Sequence, residues 1–156
     1  MRHLFQKSIN SSDIFVGGMY FENNNNPLNL NDGLDYVNII GNFLPLTTNS
    51  CFLVSNNLLT LSRRNKFEKL NLKWEFISSS ENVMAISFRV RRQDSKGNFS
   101  VIESTRVNSS SNIRTFGQTI IDVNANDKFY MQIRNTDLIY PTSNITIVSA
   151  KIGLTE

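Results

Sequence analysis

The 156-residue chain has the length of a single domain, and a chain of that size buries enough surface to fold without disulfides or a structural metal. Its formal charge of +3 is small, and the basic residues are spread rather than run together, which argues against nucleic acid as a partner. Twenty-two asparagines stand against three alanines, with many Ser and Thr beside them, so helix formers are scarce.

Residues 1–13 (MRHLFQKSINSSD) are polar and irregular, and they are expected to form a tail or an anchoring peptide ahead of a domain at 14–156. The start has a basic residue but no apolar core region, so it does not read as a secretory signal. No segment approaches the roughly 18 apolar residues of a membrane span, and no membrane insertion is expected. Cys51 is the sole cysteine, which excludes an intrachain disulfide and fits folding in a reducing cytosol.

IFVGGMYFE (14–22) is the first expected strand, and NNNNPLNLNDG (23–33) is a loop of turn-forming residues. LDYVNIIG (34–41) reads as a strand, followed by short apolar pieces at 43–46, 51–54 and 58–61. KLNLKWEFI (69–77) alternates cleanly: Leu70, Leu72, Trp74 and Phe76 share one face. After the SSSEN turn, VMAISFRVRRQ (83–93) puts Met84, Ile86, Phe88 and Val90 on one face. DSKGN (94–98) is a hairpin turn with Gly97 free to take a left-handed backbone, and FSVIESTR (99–106) returns. IRTFGQTIIDV (113–123) and a NAND turn lead into a strand whose core face is Phe129, Met131 and Ile133. In the last strand, Ile145 and Ile147 point one way, while Val148, Ala150, Ile152 and Leu154 point the other. Regular alternation therefore predicts two apolar faces there, and the second needs a cover. Eight to ten strands at this spacing, with no helix, predict an all-β protein: an antiparallel β-sandwich or jelly roll.

Candidates for chemistry are few. His3 is the only histidine and lies in the tail, away from any evident nucleophile. Cys51 opens an apolar piece, CFLV, and reads as a small buried hydrophobe. DVNAND (122–127) looks like the opening of a calcium loop, but the sixth and twelfth positions hold Asp127 and Ile133 where such a loop needs Gly and Glu. A hairpin turn is the better reading. Arg89, Arg91 and Arg92 in FRVRRQD could meet phosphate or acidic sugars, yet a solvated face paired with nearby Glu or Asp is the preferred reading. N-x-[ST] patterns at Asn10, Asn98, Asn108 and Asn144 are expected by chance in so Asn-rich a chain. No phosphate loop, zinc spacing or carboxylate pair stands out, so neither an enzyme nor a cofactor is expected.

RTFGQTIIDVNANDKFYMQIRNT (114–136) resembles the penultimate-strand region of the complement- and tumour-necrosis-factor-like trimeric jelly rolls. The matching features are Phe116-Gly117, Asn126-Asp127, the alternating Phe129/Met131/Ile133, the loop DLIYPTSN and the final strand ITIVSAKIGL. GGMYFE, YVNIIGNF and SNNLLTLSRRNKFEKLNLKWEF are similar to the variants of this domain in bacteriophage virion proteins. The absence of a signal, disulfides and collagen-like repeats departs from the animal members. That disfavours a third alternative, a secreted cytokine-like ligand.

The resemblance implies a homotrimer, with Phe116 at or near the three-fold axis and Tyr130 and Gln132 at the interface. It also implies a non-enzymatic head-fibre or capsid-decoration knob, made in the host bacterial cytoplasm and carried on the virion. Phe5, Ile9, Ile14 and Phe15 would then anchor it to capsid or other virion proteins. The alternative is a tail-fibre adhesin tip that binds a host surface glycan through its loops. Trp74 is expected in the core, leaving Tyr20, Tyr36 and Tyr140 as aromatic candidates for such a site.

Overall fold

A computed structural model describes residues 9, 14–30, 35–47, 52–55, 57–61, 68–140 and 144–156. His3, Phe5 and Cys51 lie outside the described residues. Eleven strands run in chain order: β1 (Gly17–Phe21), β2 (Val37–Asn38), β3 (Leu44–Pro45), β4 (Phe52–Ser55), β5 (Leu58–Leu61), β6 (Glu68–Ser79), β7 (Ala85–Gln93), β8 (Phe99–Ser110), β9 (Arg114–Val123), β10 (Lys128–Asn135) and β11 (Thr146–Thr155). No helix occurs among the described residues.

The strands form two antiparallel sheets, one ordered β3-β1-β11-β6-β9 and the other β4-β5-β10-β7-β8, with β2 also paired to β10. The chain crosses between sheets after β1, β2, β3, β5, β6, β8, β9 and β10, as in a jelly roll. DSKGN closes a true hairpin between β7 and β8, with Gly97 at φ 87° and the Asp94 carboxylate accepting from the Lys96 and Asn98 N–H groups. NAND is not a hairpin: it carries the chain from one sheet to the other, with Asn126 at φ 64°. The Asp127 carboxylate accepts from the Asn124 N–H inside that turn.

The core lies between the sheets and follows the alternation read from β6, β7 and β10. Leu72, Trp74 and Phe76 pack against Ile86, Phe88 and Val90, and against Phe129, Met131 and Ile133, all buried. Trp74 stacks on Phe88 at 5.9 Å between ring centroids, and Phe76 meets the same ring at 5.1 Å. Gly117 sits opposite Trp74 because nothing larger fits: a Cβ there would lie 2.3 Å from the indole.

The last strand corrects the sequence reading. Ile147 pairs with Ser78, yet Ala150 pairs with Phe76, so β11 spends three steps where β6 spends two. Val148 is the extra residue of a β-bulge, and the bulge shifts the alternation by one. Ile145, Ile147, Ala150, Ile152 and Leu154 are therefore all buried. The two apolar faces expected of this strand are one face, and both halves of it enter the same core.

Candidate anion-binding groove

The outward face of the six-stranded sheet carries a groove of about 640 Å³ lined by Asp35, Tyr36, Arg89, Arg91, Phe99 and Gln132, with Ser100 and Val101 beside them. Arg89 and Arg91 alternate with core residues on β7, so both project outward. Gln132 on β10 lies opposite Arg89, and Asn38 on β2 lies opposite Gln132. These three polar residues form a chain: Arg89 Nε donates to Gln132 Oε1 at 2.8 Å, and Gln132 Nε2 donates to Asn38 Oδ1 at 2.9 Å. Gln132 is itself buried, so this chain fixes the Arg89 guanidinium from beneath.

Aromatic rings hold the cations from the side. The Arg89 guanidinium lies 3.9 Å from the Tyr36 ring centroid, with those of Arg134 and Arg106 at 4.9 and 5.9 Å. Arg91 lies 3.8 Å from the Phe99 centroid. Each such contact contributes about 0.5–1 kcal/mol at an exposed site. The Tyr36 hydroxyl is anchored to Ser87 Oγ at 2.7 Å.

Arg106 reaches Tyr36 because β8 is bulged. Phe88–Val90 spans two steps of β7, while the facing Ile102–Val107 spans five of β8. Buried Thr105 repairs the broken ladder: its Oγ1 accepts the Val90 N–H at 2.8 Å and donates to the Ile102 carbonyl at 2.6 Å. The extra residues carry Glu103 and Arg106 out as an ion pair beside Tyr36.

The electrostatics are unusual for a solvated sheet face. Burial, and then the neighbouring Arg106 charge, holds Arg89 below the ordinary arginine value; Arg91 and Arg134 act the same way, while Tyr36 opposes them. Among the described residues, no carboxylate pairs with Arg89 or Arg91, and no hydrogen bond engages the Arg91 guanidinium. The expected pairing with Glu or Asp holds only for Arg92, which turns away to Asp127 at 3.8 Å.

The residues expected at a trimer interface do not come together within the subunit. Tyr130 and Gln132 lie on this face, with the Tyr130 hydroxyl donating to Gln93 Oε1 at 3.2 Å. Phe116 lies on the outward face of the other sheet, opposite Glu75 and 5.9 Å from the Arg114 guanidinium. Of the expected anchor residues, Ile9 is 6% exposed and its N–H donates to Glu75 Oε2 at 3.2 Å. Ile14 is exposed, and Phe15 packs over Gly153. Of the aromatic candidates Tyr20, Tyr36 and Tyr140, Tyr36 lines the groove, while Trp74 is in the core as expected.

No family profile matches the sequence, and no curated protein matches it. Solved structures do. Murine APRIL at pH 8.0 aligns with a TM-score of 0.54 at 10% identity, over 88% of this chain and 98% of that one. Murine APRIL at pH 5.0 gives 0.53 at 9% identity over the same shares. The Eiger TNF from S. frugiperda gives 0.50 at 9% identity, over 91% of this chain and 94% of that one. The chain has a tumour-necrosis-factor-like jelly-roll fold.

Proposed function

We propose that this chain is a non-enzymatic bacteriophage virion protein: a homotrimeric jelly-roll knob attached through residues 1–13. The observation that carries this reading is the outward face of the five-stranded sheet. There Ile77 and Ile120 are exposed and Phe116 is half-buried along neighbouring strands β6 and β9. Apolar side chains on an outward sheet face gain by meeting a second copy. The tumour-necrosis-factor-like fold supports three as the number of copies. Light scattering at micromolar concentration is the direct test, with a mass near three chains expected. A monomer overturns the trimer. Phe116→Asp should give monomers or aggregate, and a mutant that stays a soluble trimer removes Phe116 from the axis. Attachment is tested by co-sedimentation with particles: deletion of residues 1–13 should abolish it.

A second reading, a receptor-binding adhesin tip for a host surface glycan, is favoured by a different observation. The groove holds ordered polar groups and two cations, Arg89 and Arg91, that no carboxylate among the described residues pairs, on a face that the five-stranded-sheet contact leaves open. Binding to an array of surface glycans tests it.

A further inference from the structure

The geometry points to the Arg89/Arg91 groove as a binding site for an acidic saccharide, whose carboxylate or sulfate sits between the two guanidiniums while its hydroxyls meet Asp35, Ser100 and Gln132. This deepens the adhesin reading and rests on it.

Three observations carry the assignment. Arg89 and Arg91 stand on one face of β7 two residues apart, about 7 Å along the backbone. That spacing lets one anionic group meet both, or two neighbouring groups meet one each. Both cations are held in place before any ligand arrives, by Tyr36 and Gln132 for Arg89 and by Phe99 for Arg91. Preorganisation lowers the ordering cost of binding. Among the described residues their remaining donors are also unspent: only Nε of Arg89 is engaged, and no hydrogen bond engages Arg91. A forked guanidinium with free terminal nitrogens matches the two oxygens of a carboxylate or sulfate.

The surroundings select among anions. The neighbouring charges of Arg106, Arg91 and Arg134 act against Arg89, and an incoming negative charge relieves that repulsion. Asp35 lines the same groove. A carboxylate there accepts from sugar hydroxyls, donors that a chain of phosphates lacks. Nucleic acid also needs open aromatic faces for base stacking and a row of cations along the backbone. Here the rings already carry guanidiniums, and the cations that line the groove are a pair, Arg89 and Arg91, and not a row. A volume of about 640 Å³ suits a short saccharide segment.

The test is calorimetric titration of the full chain with oligogalacturonate, a heparin oligosaccharide, a neutral cello-oligosaccharide, tripolyphosphate and a short single-stranded DNA. Two variants accompany it, Arg89→Gln and Arg91→Gln. Among the described residues Arg91 makes no hydrogen bond, so its variant is expected to keep the fold even if Arg89→Gln does not; thermal melting checks this. The expected result is that an acidic saccharide binds, weakens with added salt, and loses about tenfold in affinity in Arg91→Gln, the loss of one charge-assisted contact. Binding of the neutral saccharide alone, unchanged in both variants, overturns the acidic-ligand assignment and leaves the adhesin reading standing. Tripolyphosphate or DNA bound as tightly as the acidic saccharides overturns it in favour of unselective anion binding. No saccharide binding of any kind overturns both readings.

Discussion

The side-chain amide of Asn24 donates to the backbone carbonyl of Ile147 across 2.9 Å, and the Asn24 N–H donates to the carbonyl of Val148 at 3.0 Å. One residue of the Asn-rich loop thus takes up both carbonyls at the point where β11 bulges. A bulge leaves ladder groups without strand partners, and Asn24 supplies them. Asn24→Ala keeps the backbone bond and removes the side-chain bond to Ile147, together with the longer ones to the Asn26 backbone. It should lower stability by about 1 kcal/mol, read by urea denaturation with an unchanged slope. Wild-type stability in the variant would mean that core packing alone holds the bulge.

That contact also marks where the sequence stops being readable. Alternation in β6, β7 and β10 is a local property, so Trp74, Phe88 and Met131 announce their faces from the sequence alone. The phase change at Val148 depends on how many residues β6 spends opposite, and on Asn24 more than a hundred residues away. The groove was hidden for the same reason. Arg89 and Arg91 are visible as a pair in FRVRRQD, but Tyr36 comes from a segment far earlier, and Arg106 arrives only through the bulge in β8. A basic pair in a strand signals a solvated face unless the chain brings aromatic rings rather than carboxylates to meet it.

Thr105 links the core to that groove. Its hydroxyl is the acceptor for the Val90 N–H and sits at full burial. Thr105→Val keeps the shape and leaves the N–H without a partner. The expected loss is about 1–3 kcal/mol. Because Thr105 also ties down the bulge bearing Arg106, affinity for an acidic saccharide should fall as well. Denaturation and titration on the same sample separate the two effects; lost stability with full affinity would detach the bulge from the site.

Asp137 organises the loop after β10. Its carboxylate accepts from the N–H groups of Ala85 at 2.7 Å, Ile139 at 2.8 Å and Tyr140 at 2.9 Å, and it holds exposed Leu138 and Ile139 at the loop tip. These bonds, that from Ala85 first, pull its pKa below the ordinary aspartate value of 3.8. A depressed folded-state value stabilises above the unfolded pKa, and that stabilisation disappears as pH falls through the folded value. Asp137→Asn should therefore be less stable than wild type at neutral pH, with the gap closing below about pH 3.8. Asp127 supplies the opposite sign, since burial raises its pKa. The wild type should gain on Asp127→Asn as pH drops. Unfolding curves across an acid series check both, and parallel behaviour of the two variants would contradict the assignment.

Ile9 bears on how a trimer could form. It is buried against the outward face of the five-stranded sheet, where its N–H meets Glu75 and Arg114 approaches the same carboxylate at 3.8 Å. Glu75 is the residue paired with Phe116, so the N-terminal segment and the proposed three-fold contact share one stretch of sheet. If this segment is part of the fold, Ile9→Ala removes a packed side chain and should cost about 2 kcal/mol. If it is only an anchor for another protein, the same change leaves stability untouched and weakens particle attachment alone. Denaturation of Ile9→Ala over a range of protein concentrations distinguishes these, and we expect the loss. A loss that grows on dilution would further place Ile9 between subunits, because an interface residue contributes only while the copies stay together.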